Sequence, residues 1–164
     1  MQLQTYCRYN LWANTKILDV LSMHADENTF DRQIISSFPS LRKTICHIWG
    51  AETIWLARLR GEMNPPWPGN NFAGSQEELR PIMLKVSGEI VSHVAGLDEE
   101  NLKKEFTYVN LQGMQFTNII WEAVLHCMNH STYHRGQIVT MLRQCGVNEI
   151  PSTDFINFCR AGKN

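Results

Sequence analysis

Excess charge is the first thing this chain lacks. Its 164 residues carry 15 Lys and Arg against 16 Asp and Glu, a net charge of −1. A nucleic-acid binder displays a basic stripe, so no such partner is expected. The five cysteines (Cys7, Cys46, Cys127, Cys145 and Cys159) form no CxxC pair and no even framework. They read as free thiols of a reducing compartment, and the expected location is cytoplasmic. The first residues have no apolar signal core, and no apolar run approaches the roughly 18 residues of a membrane span, so no membrane association is expected. Several chemistries are missing too. There is no phosphate loop, no GxSxG nucleophile elbow and no HExxH pair, and no Glu stands three residues before a His. That excludes the familiar nucleotide, serine-hydrolase, zinc-protease and di-iron carboxylate signatures.

What the chain does have is helical periodicity. At 43% hydrophobic and 19% charged residues it is an ordinary globular sequence, long enough for one core, and residues 1–164 read as a single domain. Apolar residues recur with a helical period over 4–23, 40–60, 76–96 and 116–144. Ser75 and Glu78 have the spacing of a capping box, and Gly61, Gly96 and Gly146 stand where helices should stop. The segment 61–74 is too rich in Pro and Gly to be helical. Trp67 within it reads as a loop anchor that could also line a pocket. Residues 106–116 read as a small β-hairpin turning near Gly113, and 154–160 as a short last helix. The expected fold is all-α: a four-helix bundle with a long Pro/Gly loop, a small β-hairpin and a short C-terminal helix.

The chemistry lies in His126, His130 and His134, spaced one turn apart. From His126, the other two fall about 40° and 80° round the helix, on the same arc as Ile119, Ala123, Ile138 and Met141. A histidine on an apolar arc needs a polar partner, and two imidazoles four residues apart can grip one divalent ion. A further ligand must come from another helix. His47 sits at the edge of the core-facing arc that holds Thr44, Ile48, Ala51 and Trp55, which makes it the candidate. His126 and His134 lie about 12 Å apart along the axis and would strain to share an ion, yet spacing alone leaves open which pair binds. His24 and His93 have no partner at helical spacing and read as surface or packing residues. Cys46 and Cys127 adjoin the histidines and read as small buried hydrophobes. Gln137 lies on the same arc and could accept a hydrogen bond from a ligand's second ring nitrogen. No general acid or base is identifiable.

These residues resemble a known family. Tyr9-Asn10-Leu-Trp12-Ala13-Asn14, the block from His47 to Glu52 with Trp55 and Gly61, the run His130-Ser-Thr-Tyr-His134-Arg135-Gly136-Gln137-Ile138, and Pro151-Ser-Thr-Asp154 are together similar to the DinB-like (DinB/YfiT-like) metalloenzymes over nearly the whole chain. The resemblance implies an antiparallel four-helix bundle, a homodimer, and a divalent ion, zinc or nickel, held by His47, His130 and His134, with His126 outside the ligand set. Some relatives transfer or isomerise with small thiols, which implies a thiol and an electrophilic substrate as partners. Gly136 inside a helix costs about 1 kcal/mol against Ala, and close packing would account for it. Two functions fit: a metal-dependent enzyme, possibly a thiol transferase by resemblance, or a non-catalytic metal-binding stress-response module.

Overall fold

The computed structural model describes residues 2–69 and 72–162. Asn70 and Asn71 of the expected loop, and Met1, Lys163 and Asn164 of the expected domain, lie outside them. Four long helices carry the fold: α1 (Gln2–His24), α3 (Leu41–Leu59), α4 (Gln76–Ala95) and α6 (Ile120–Gln144). Shorter pieces are α2 (Glu27–Asp31), α5 (Glu99–Leu102), α7 (Phe155–Ala161) and the strands β1 (Glu105–Val109) and β2 (Gln115–Ile119). No described helix is long and apolar enough to cross a membrane.

Local chemistry sets the helix starts. Ser40 Oγ accepts the Lys43 amide at 3.2 Å. Ser75 and Glu78 form both bonds of the capping box, at 3.2 and 2.7 Å. Gly61 and Gly146 follow α3 and α6 at φ 94° and 90°, a region open to glycine. One expected boundary moves. Residues 116–119 do not begin the last long helix, because 115–119 pair antiparallel with 105–109 (Val109 opposite Gln115, Glu105 opposite Ile119). Their apolar pattern fits either period, and the cross-strand hydrogen bonds decide.

The core is split by a polar layer. On one side lie Ile17, Leu21, Ile45, Ile48, Leu79, Met83, Ile138 and Met141; on the other lie Cys7, Leu56, Ile90, Val94, Val124 and Met128. Between them every long helix contributes polar residues: Asn10 and Asn14, Glu52, Ser87, and Ser131 with Arg135, all buried. The order in which each helix crosses this layer gives its direction. The packed pairs α1–α4 and α3–α6 are antiparallel, while α3 and α4, also in contact, run the same way. The chain leaving α3 must therefore travel back along the bundle before α4 can begin, and this is why the loop after Arg60 is long. The tryptophans are not the core: Trp121 is 42% exposed, and Trp12, Trp49, Trp55 and Trp67 are half-buried.

Candidate metal centre

Because α3 and α6 pack against each other, His47 on the first meets His130 and His134 on the second. The Nε2 atoms of His47 and His130 are 2.9 Å apart. One ring nitrogen from each of the three lies within 4.8 Å of the others, a grouping that could hold a metal ion. Two nitrogens each about 2.1 Å from a common ion would be separated by about 3 Å, which is the spacing of the His47–His130 pair. His134 Nδ1 is 2.8 Å from Gln137 Oε1, and Gln137 Nε2 donates to Ser37 Oγ at 2.8 Å. With Nδ1 carrying the proton, His134 Nε2 turns its lone pair to the cluster. Gln137 is thus the acceptor the helical arc suggested. His130 Nδ1 is buried without a hydrogen-bond partner among the described residues.

Burial favours the neutral, ligating form. It pushes His47 down from 6.5 to about 4, helped by the proximity of His134. His130 falls to about 3 through burial and the neighbouring imidazoles, and burial lowers His134 as well. These folded values lie below those of the unfolded chain, so the unfolded state binds more protons across the interval. The metal-free protein should therefore keep its full stability above about pH 6.5 and lose it progressively as the pH falls toward 4 and then 3. Thermal melts from pH 7.5 to 4 check this, with His130→Asn giving the shallower decline. An equal slope in that variant would contradict the assignment.

Two segments wall the cluster. Phe38, from the chain between α2 and α3, lies 4.2 Å from His47 and 5.6 Å from His134 by ring centroids. Trp67, from the returning loop, lies 5.5 Å from His47. Trp67 is both anchor and wall, because its ring lies on the bare backbone of Gly50: a Cβ there would meet the ring at 2.6 Å. Gly50→Ala gains roughly 1 kcal/mol of helix propensity but forces the indole off, at about 1–3 kcal/mol for overpacking. The expected net result is slight destabilisation with greater solvent exposure of Trp67, read as a red-shifted fluorescence component. Unchanged emission would show that the indole does not rest there.

The remaining candidates separate. His126 is exposed, with its ring 5.0 Å from Trp55 and 6.1 Å from His130, and it is not part of the three-nitrogen group. The expectation that it shares the inward arc is corrected: it lies exposed at the edge of that arc, against the Trp55 ring, while Ala123 and Cys127 take the buried positions. Cys46 and Cys127 are core residues, and burial pushes the Cys46 thiol up to about 11. Close packing does not account for Gly136, which is exposed with open space where a Cβ would stand. Nothing in the structure explains that glycine.

Sequence reasoning missed the polar layer behind the site. Glu52, fully buried, accepts from Asn10 Nδ2 (2.7 Å), Asn14 Nδ2 (2.9 Å) and Ser131 Oγ (2.9 Å) on one oxygen and from Ser87 Oγ (2.5 Å) on the other. Arg135 Nη1 donates to the amide oxygens of both Asn10 and Asn14. The carboxylate and guanidinium are thus joined through two side-chain amides. Ser131 and Arg135 each follow a histidine of the cluster, so this network fixes α6 against α3 at the level where the histidines meet. The available signal was Asn10 and Asn14 one turn apart between Cys7 and Ile17.

The comparisons with known proteins agree in outline. The DinB family model matches residues 1–161. Protein DinB of Bacillus subtilis is 27% identical over 154 residues, which span 90% of this chain and 87% of that protein. A DinB-like protein from Bacillus cereus has the same fold, with a TM-score of 0.69, 19% identity and coverage of 88% of this chain and 91% of its own. YfiT from Bacillus subtilis, described as a probable metal-dependent hydrolase with an unusual four-helix bundle topology, superposes with a TM-score of 0.68 at 12% identity, over 90% and 89% of the two chains. With a family match that runs nearly end to end and a bundle of the same fold, the chain belongs to the DinB family.

Proposed function

We propose that the protein is a metal-dependent enzyme in which His47, His130 and His134 hold one divalent ion, zinc or nickel, and a small thiol is transferred to an electrophile beside it. One observation carries this reading: the grouped ligand set consists of three imidazoles, with no fourth His, Cys, Asp or Glu among the described residues to close it. A closed structural site takes four protein ligands, whereas a reactive one leaves a position for an exchangeable molecule. A bound ion would lower the pKa of a thiol or water at that position, so that the nucleophile exists at neutral pH. The protein's own part is to present neutral imidazoles, to fix the His134 tautomer through Gln137, and to shield the centre with Phe38 and Trp67. No carboxylate base is needed when the nucleophile is already ionised. In the transfer a sulfur–carbon bond would form as the carbon's bond to its leaving group breaks; the thiol proton, released to solvent when the thiolate forms, is balanced by the proton the leaving group takes from solvent.

Water in place of the thiol gives a second reading, a hydrolase, supported by the likeness to YfiT. X-ray absorption at the metal edge separates the two. Adding small cellular thiols to the metal-loaded protein should introduce a sulfur neighbour at about 2.3 Å. Absence of sulfur with every common thiol, at full metal content, would reject thiol transfer in favour of hydrolysis or a non-catalytic module.

A further inference from the structure

Beside the histidine cluster is a cavity of about 370 Å³, lined by Trp55, Tyr108, Asn118, Glu122, Ala123 and His126. We propose that it binds the protonated amine of a small ligand, one helical turn from the three histidines. Glu122, His126, His130 and His134 follow one another at four-residue intervals along α6 and form a continuous polar stripe. His126 belongs to the cavity wall and lies 6.1 Å from His130 by ring centroids, so the two sites are neighbours.

The polar groups of the cavity are arranged to accept hydrogen bonds. Tyr108 Oη donates to Asn118 Oδ1 at 3.1 Å, and Asn118 Nδ2 donates to Glu122 Oε2 at 3.3 Å. The same Glu122 oxygen accepts the Ile119 amide at 3.2 Å. This chain uses the phenol proton and one of the two Asn118 Nδ2 hydrogens, and it holds Glu122 in place. Left over as acceptors are Glu122 Oε1, which has no hydrogen bond among the described residues, and the lone pairs of the Tyr108 oxygen. An ionised carboxylate can only accept. The rings of Trp55 and Tyr108 meet at 68° with centroids 5.1 Å apart, forming an aromatic corner. Aromatic faces next to a carboxylate suit an ammonium group.

Arg58 lies on the same two rings. Its guanidinium already stands 4.9 Å from the Trp55 ring and 4.6 Å from the Tyr108 ring, held by the Val109 carbonyl at 2.9 Å. These rings therefore accommodate a cation, but that fixed charge also opposes a second one. Glu122, the sole ionisable acid lining the cavity, must then carry the preference. The inference rests on the proposed function in one respect only, that the ammonium is the tail of a molecule reacting at the histidines.

The test titrates n-butylammonium and its neutral counterpart 1-butanol into the full-length protein stripped of metal, following the Trp55 indole and His126 ring signals by NMR. The expected result is at least tenfold tighter binding of the ammonium, with both residues perturbed. Glu122→Gln, which keeps a carbonyl oxygen for the Ile119 amide, should abolish the preference while leaving 1-butanol binding unchanged. Equal affinities in the wild-type protein, or shifts confined to other residues, would overturn the proposal without recourse to any variant. Amine selectivity without thiol chemistry would keep this site and reject the thiol-transfer reading, and thiol chemistry without amine selectivity would do the reverse.

Discussion

Replacing any one of His47, His130 or His134 by alanine should lower affinity for a divalent ion by about a hundred- to a thousandfold. Protein zinc sites of this kind are worth about 10 kcal/mol or more, and a three-ligand centre loses roughly a third of that with each imidazole. His24→Ala, His93→Ala and His126→Ala should retain affinity, because none of those rings belongs to the three-nitrogen group. His126 is the informative control, since it precedes His130 by one turn yet faces the neighbouring cavity. Competition titration against a chelator of known affinity reads the difference. A His134→Ala variant with wild-type affinity would remove His134 from the centre.

The second large effect is expected at Glu52. Its carboxylate, on α3, satisfies donors from the three other long helices and is shut off from solvent at zero exposure. Glu52→Ala would leave those donors without their acceptor and the buried Arg135 charge without its counter-charge. Removing one partner from a buried charged network costs about 3–5 kcal/mol, a large share of a total stability of about 5–15 kcal/mol. The melting temperature should fall by about 10–15 °C. Glu52→Gln keeps the shape and one acceptor but sets an amide donor against donors, so a smaller loss is expected. A Glu52→Ala protein within about 0.5 kcal/mol of wild type would show that the layer is not what holds the bundle.

Much of the site was legible in the sequence because its parts are local. The spacing of His130 and His134, the position of His47 on its helix and the placing of Gln137 all follow from 100° per residue. The bundle was legible for the same reason, and the capping box was visible in two residues. What escaped depends on neighbours that periodicity does not describe. Whether 116–119 continue the helix or pair with 105–109 is decided by a partner strand. His126 lies at the edge of its arc, and only the assembled bundle shows that this edge is open. Asn10, Glu52, Ser87 and Arg135 each look like solvent-facing residues in their own helix; their burial makes sense only when four helices bring them to one level. The resemblance implied an antiparallel bundle, but that the contacting α3 and α4 run the same way was hidden, and with it the reason for the long loop. Phe38 could not be placed at all, because the segment between α2 and α3 has no periodicity to read.

Whether His47, His130 and His134 hold one divalent ion is tested most directly by elemental analysis of the protein purified without an affinity nickel column. One zinc or nickel ion per chain is expected, removable by a chelator and taken up again at one equivalent. A protein that carries no ion, and that takes up neither metal at stoichiometric concentrations, would contradict that assignment.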